Sequence, residues 1–381
     1  MSSSPIANHR ALRSWVEIDL AALDRNIARI RRYLPPYVRH IAVVKADAYG
    51  HGMPSVILRL LRAGVDAFGV ANVQEGLQIR EQDVTLPVLI LSPVLPDEIP
   101  LLFEYQLTPF VSSVDELAHL QSWACGHERI ISVHLKIDTG MGRAGFWYED
   151  PLQEEVKKYL SGPWIRLTGI ATHFSCVCSD KTYTKLQRQR FHDWLGHYGC
   201  DAGIWIHESS SFALQDDWKD SPCNAARIGA LQYGVGPDSQ VPFIQALALE
   251  PILSFYSRVS LVKMLPVGVP VGYDAMAVTR RPTRIAVLSA GYADGISTSA
   301  SNRAEAMIYG QRFRVFGRVA MDQAMLDITD AKVPIHAGDR VTWIGRDGEN
   351  EITANEFCYW SNHIIRECLC SISARVQRVY K

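Results

Sequence analysis

Apolar residues recur with two different periods along this chain, and the change of period divides it. Leu20, Leu23, Ile27 and Ile30 follow a helical spacing that stops at Pro35 and Pro36, so an amphipathic helix opens the first region. After it, eight short apolar runs read as strands: "HIAVVK", "DAFGVA", "LPVLIL", "LTPFVS", "ISVHLKI", "IRLTGIATHF", "IWIHESS" and "AARIGALQY". Between them lie helical stretches such as "MPSVILRLLRAG", with Pro54 placed for a start and Gly64 for a stop, and "KLQRQRFHDWLGHYG". Eight strands alternating with helices over about 230 residues predict a (β/α)8 barrel of the TIM type, with a doubly wound sheet as the alternative. From residue 246 the texture changes. "LSFYSRVSLVKML", "RIAVLSAGYADG", "RFRVFGRVAMDQAMLDIT" and "DRVTWIG" are rich in β-branched and aromatic residues, with few helical intervals. Two domains are expected, a barrel over 10–245 and a mainly β domain over 246–381.

Composition narrows the partners. The 381 residues carry 39 basic and 40 acidic side chains, a formal net charge of -1, with no block of like charges. Nucleic acid and membrane surfaces are therefore poor candidates, and a small-molecule substrate is the better one. The opening "MSSSPIANHRAL" has no apolar core, and the chain has no apolar run of the roughly eighteen residues a membrane span needs, so a soluble, cytoplasmic protein is expected. The eight cysteines, at 125, 176, 178, 200, 223, 358, 368 and 370, are scattered and expected to be reduced. The C-x-C pairs at 176/178 and 368/370 lack the spacing of a tetrahedral zinc site, and no metal is expected.

The candidate chemistry begins with Lys45, which ends the first strand. A lysine there either snorkels to solvent or is held desolvated, where a depressed pKa suits it to a Schiff base. In a barrel, chemistry gathers at the carboxyl ends of the strands. Arg143 follows the fifth strand, His173 ends the sixth, His207 and Ser209 to Ser211 end the seventh, and Arg227 and Gly229 lie in the eighth. Facing one basin, these residue types suit an aldehyde cofactor bearing a phosphate. "GMGRAG", residues 140–145, satisfies a dinucleotide-binding glycine pattern, but the next strand ends in His173 and Phe174 where that fingerprint wants an acidic residue.

"AVVKADAYGHG", "LKIDTGMGRAGF", "THFS", "ARIGALQYG", "VGYDA", "LSAGYADG" and "GRVAMDQ" occur in the order found in the alanine racemases, the fold-type III pyridoxal phosphate enzymes, and the chain resembles that family over residues 14 to 381. The resemblance implies that Lys45 binds pyridoxal 5'-phosphate covalently and serves one face of the substrate, while Tyr273 serves the other. It further implies that Tyr49, Ser211 and the amides of Gly229 and Ala230 hold the phosphate, that His173 and Arg227 assist, and that Arg227 faces the pyridine nitrogen. Arg143 would reach the cofactor's phenolic oxygen and the substrate carboxylate. The Met321 amide would supply a further contact, and Tyr292 and Asp322 would also belong to the substrate site. Lys136 matches a lysine carbamylated in some members. The active unit implied is a homodimer with shared sites.

Three positions depart from the family pattern. Ala320 replaces a common cysteine, Thr298 stands where an arginine is often found, and Arg366 replaces a tyrosine beside the cofactor phosphate. Arg366 is expected to anchor that phosphate. The alternative is a pocket opened toward serine or other amino acids, with alanine the expected main substrate.

Overall fold

The computed structural model describes residues 11–150, 153–199, 203–214, 218, 221–236 and 242–381. The chain divides into two compact units, one of residues 23–48 and 52–250, the other of residues 1–22, 49–51 and 251–381.

In chain order the strands begin with β1 (Ser14–Ile18), followed by β2 (Arg39–Val43), β3 (Ala67–Val70), β4 (Val88–Ile90), β5 (Leu107–Val111), β6 (Ile131–Asp138), β7 (Phe146–Trp147), β8 (Ile165–Ala171), β9 (Trp205–His207), β10 (Ala225–Ile228) and β11 (Leu253–Leu265). The parallel order β10-β2-β3-β4-β5-β6-β8-β9 uses all eight expected strands. The edges β9 and β10 meet through a parallel bridge between Ser210 and Arg227. There the Arg227 amide donates to the Ser209 carbonyl and the Asn224 amide to that of Ile206, each at 3.0 Å. The sheet is a nearly closed barrel, not a doubly wound sheet. Its outer helices start as the sequence suggests: Pro54 lies in the first turn of Met53–Arg62, and Asp180 caps Lys181–Tyr198 by accepting from the Tyr183 amide.

Strand alternation sorts side chains between the barrel interior and the helical layer. Ile41, Ala67, Leu89, Phe110, Ala171 and Ala225 form one buried apolar cluster. Stepping two residues from Ala225 reaches Arg227 and from Ala171 reaches His173; on β2, Ile41, Val43 and Lys45 share a parity. A polar layer thus follows the apolar one toward the carboxyl ends.

The second unit is built around β11, which pairs antiparallel with β1, with Thr283–Leu288 and with Arg340–Asp347. The position of the first strand differs from the expected barrel range. β1, expected to travel with the barrel, lies between β11 and the last strand, Gln377–Tyr380, in the β unit. Its pattern is buried at four of five positions, and such a strand needs ladders on both sides to satisfy its backbone. Phe255, Trp343 and Phe357 are fully buried in this unit, and the Trp343 indole donates to Ser257 Oγ at 2.9 Å. No helix among the described residues is long and apolar enough to cross a membrane.

Candidate active site

Lys45 follows β2 and opens a turn of unusual hand. Ala46, Asp47, Ala48 and Tyr49 all have φ between +53° and +57°. An L-residue pays roughly 1–2 kcal/mol in left-handed helix, so four in succession survive only because the surroundings hold them. The Glu75 carboxylate accepts from the Ala46 amide at 2.7 Å, and the Asp47 carboxylate accepts from that of Met53 at 2.6 Å. From below, Gln232 Nε2 and the Tyr233 hydroxyl both donate to the Val43 carbonyl, at 2.9 and 3.0 Å. The backbone is therefore clamped two residues before Lys45.

Arg227 is the centre of the interior network. It is buried, and its Nη1 donates to His207 Nδ1 and to the His207 carbonyl, both at 2.7 Å. Its Nη2 donates to the Thr172 carbonyl at 2.6 Å, to that of Glu208 at 3.2 Å, and approaches His173 Nδ1 at 3.3 Å. Because His207 Nδ1 accepts, its Nε2 carries the proton and donates to His134 Nδ1, 2.9 Å away. Burial lowers the guanidinium to about 10, which leaves it protonated at neutral pH. Burial first, then the charge of Arg227, holds His207 and His173 well below the ordinary imidazole range.

Lys136 is buried beside this network. Desolvation and the charges of Arg227 and Arg143 push its amine well below the usual lysine value, with Asp138 opposing. Asp138 organises the loop that follows β6: its carboxylate accepts from the amides of Gly140, Met141 and Arg143 at 2.7 to 2.9 Å. This settles the glycine pattern at 140–145. Amides that would have to cradle a pyrophosphate are already taken by a carboxylate, and Gly145 is required because a Cβ there would lie 2.7 Å from the Asp138 nitrogen. Arg143 projects from this loop as an exposed residue.

Ser211 Oγ accepts the Gly229 amide at 2.8 Å, joining the end of the seventh barrel strand to the turn Ala230–Tyr233 after the eighth. Lys45, Lys136, Arg143 and Arg227 all act electrostatically on His173. Four basic side chains converging on one imidazole make a basin that suits an anion. The Ser211 hydroxyl hydrogen and the Ala230 amide suit a phosphate, with the Gly229 amide spent on positioning Ser211, and Lys45 suits an aldehyde. The donor set therefore fits a phosphate-bearing aldehyde cofactor.

In the β unit, the remaining candidates fall into two groups. Tyr49 is half-buried; burial raises its phenol to about 12, with Arg366 acting in the opposite sense. Arg366 lies in the helix Ile365–Ser371, whose Leu369 carbonyl would meet a Cβ on Gly50 at 2.3 Å. The second group is Tyr273, Tyr292, Met321 and Asp322. The Tyr292 and Ala293 amides donate to the carbonyls of Ala320 and Met321 at 3.0 Å. Gly291 makes that approach possible, since a Cβ would lie 2.2 Å from the Ala320 oxygen. Asp294 secures the same turn, accepting from the Gly291 amide at 2.9 Å and from Arg375 Nε at 2.8 Å. Asp322 is held by Arg375 at 2.8 Å. Tyr273, at 67% exposure, Met321 and Tyr292 present their side chains to solvent.

Sequence reasoning missed His134, Asp138, Gln232 and Tyr233. A signal existed for the first two: His134, Lys136 and Asp138 are alternate residues of one apolar strand, a polar stripe that the outward face would not require.

Family models for the alanine racemase N-terminal domain and C-terminal domain match residues 18–237 and 252–380. The chain is 38% identical over 377 residues to the alanine racemase of Methylacidiphilum infernorum, covering 97% of this chain and 93% of that one. It is 37% identical to that of Methanococcus maripaludis, over 96% and 98%. Among solved structures, the alanine racemase of Clostridium difficile 630 superposes with a TM-score of 0.90 at 32% identity, over 97% and 96% of the two chains. That of Bacillus anthracis, solved with bound L-Ala-P, gives 0.87 at 32% identity, over 97% and 95%.

Proposed function

The chain belongs to the alanine racemase family, and on that premise we propose that it interconverts L- and D-alanine with pyridoxal 5'-phosphate as its cofactor. The observation that carries this reading is the convergence of Lys45, Lys136, Arg143 and Arg227 on His173 at the carboxyl ends of the barrel strands. When bound, the cofactor supplies an electron sink that lowers the barrier to removing the substrate's Cα proton. Lys45 attaches the cofactor and moves that proton on one face. The Tyr273 hydroxyl moves it on the other, and opposed faces produce inversion. Ser211, positioned by the Gly229 amide, and the Ala230 amide hold the phosphate with Tyr49, whose raised pKa keeps its hydroxyl a donor. Arg227 would face the pyridine nitrogen of the bound cofactor and, being charged, would disfavour protonating it, because like charges repel, which would favour racemisation over side reactions. Arg143 binds the substrate carboxylate, and Tyr292, Met321 and Asp322 line the substrate side. Burial holds the Lys136 amine well below the usual lysine value, and adding carbon dioxide with loss of a proton would turn a group repelling Arg143 into an anion pairing with it.

The unit of activity is a cytoplasmic homodimer with shared sites. Exposure of Tyr273 and Met321, and of the apolar side chains Met264, Met276 and Val267 in the same unit, supports it, since a catalytic tyrosine and exposed apolar side chains both call for a partner. Incubating the protein and cofactor with a panel of L-amino acids and measuring chirality tests the activity; D-alanine should accumulate fastest, and no racemisation of any member would refute it. Mixing inactive Lys45→Ala and Tyr273→Phe subunits tests the sharing. One hybrid site would be intact, so activity should return as subunits exchange.

A further inference from the structure

Outside the cofactor basin, on the opposite face of the seventh barrel strand, three ligand-type side chains meet. His207 faces the interior network, and the next residue, Glu208, turns the other way toward the helix Lys181–Tyr198. His192 on that helix, Glu208, and Cys223 ahead of β10 bring one ligand atom each within 4.8 Å of one another. Glu208 and Cys223 are buried, while the His192 side chain keeps 27% exposure. His192 Nε2 lies 2.9 Å from Glu208 Oε2. The other carboxylate oxygen, Oε1, accepts from Arg188 Nε at 2.7 Å. Burial pushes the Cys223 thiol up to about 12, with the Glu208 backbone acting in the opposite sense.

We propose that His192, Glu208 and Cys223 form a binding site for a divalent transition metal, zinc by preference. Imidazole, thiolate and carboxylate are the mixture zinc takes and magnesium or calcium does not. Zinc bonds of about 2.0–2.3 Å place tetrahedral ligand atoms roughly 3.3–3.8 Å apart, so closing this triangle needs movements of about 1 Å. Arg188 stands in the outer shell and fixes the carboxylate so that Oε2 is the ligating oxygen. Two anionic ligands neutralise the dication. On binding, a sulfur–metal bond forms and the Cys223 S–H bond breaks, releasing one proton to solvent; His192 and Glu208 contribute lone pairs of Nε2 and Oε2, with the imidazole proton carried on Nδ1. The fourth position opens on the solvent side of His192 and holds a water. The metal would tie the outer helix to two barrel strands, directly behind the Glu208 carbonyl that accepts from Arg227.

The experiment titrates the reduced, chelator-treated holoenzyme with zinc against a chromophoric chelator. A parallel titration with cobalt reads the visible ligand-field bands of a tetrahedral site and the thiolate charge-transfer band. One metal per chain and one proton released per metal are expected. Cys223→Ser and His192→Gln should each weaken binding at least tenfold, while Cys125→Ser, at an exposed cysteine, should bind as the parent does. Should Cys223→Ser fold poorly, His192→Gln, a change on the helix surface, carries the test alone. Absence of saturable binding, or a folded variant of either ligand that binds as the parent does, overturns the proposal.

Discussion

Lowering the pH from about 7.5 to about 5.5 challenges four imidazoles that the barrel holds neutral. In the unfolded chain each histidine takes up its proton near pH 6.5. In the folded chain, burial pushes His40 and His134 down to about 3, with Arg31 adding to the effect on the former and Arg227 on the latter. Burial and Arg227 hold His173 and His207 well below the ordinary range as well. Between those values and 6.5 the unfolded chain binds more protons than the folded one. Stability present above pH 6.5 is therefore lost progressively as the pH falls toward the folded values. His40 and His134 each forfeit about 1.4 kcal/mol over the two units, together about 3 kcal/mol of an ordinary domain's 5–15 kcal/mol, and His173 and His207 add in the same direction. Urea unfolding of the cofactor-free protein at a series of pH values reads this directly. His40→Gln, which removes one titrating group and no proposed catalytic one, should remove about 1.4 kcal/mol of the loss between pH 7.5 and 5.5 whatever its effect on absolute stability. A stability that is level between pH 7.5 and 5.5, or a slope that His40→Gln leaves unaltered, would refute the reasoning.

Borohydride reduction of the holoenzyme followed by peptide mapping should locate the cofactor on Lys45, and Lys45→Ala should lose that adduct; an adduct on another lysine sinks the assignment. Ala46→Gly should raise stability by about 0.5–1 kcal/mol in urea unfolding, because relief of left-handed strain outweighs glycine's greater unfolded-state entropy at this exposed position; a net loss would mean the strain is not where the backbone puts it. Arg366→Tyr should mainly weaken cofactor retention, measured by dialysis and absorbance, consistent with Arg366 as a phosphate anchor electrostatically coupled to Tyr49. A selective fall in serine turnover with cofactor retention unchanged would favour a role in side-chain specificity instead.

Much of this protein follows from local pattern. Eight apolar runs alternating with helical segments specify eight barrel strands, since a strand buried on both faces must be apolar and continuous and each crossover needs a helix's length of chain. Parity along those strands also marks Lys45, Lys136, His173 and Arg227 as inward residues near carboxyl ends, so much of the basin is legible before folding. What local pattern leaves open is which segments meet. Ser14–Ile18 has the same texture as a barrel strand, and only its ladders with Leu253–Leu265 and Gln377–Tyr380 assign it to the β unit. The Val43 carbonyl is clamped by side chains 189 and 190 residues away, and Asp138 alone could not announce that it fills its own loop's amides. His192, Glu208 and Cys223 share no motif or spacing and become neighbours because a helix packs across two strands. Periodicity along a chain records which face of each element avoids water, a property of the element itself. The partner that face acquires depends on the free energy of the whole packed structure, and that is a decision the tertiary fold makes.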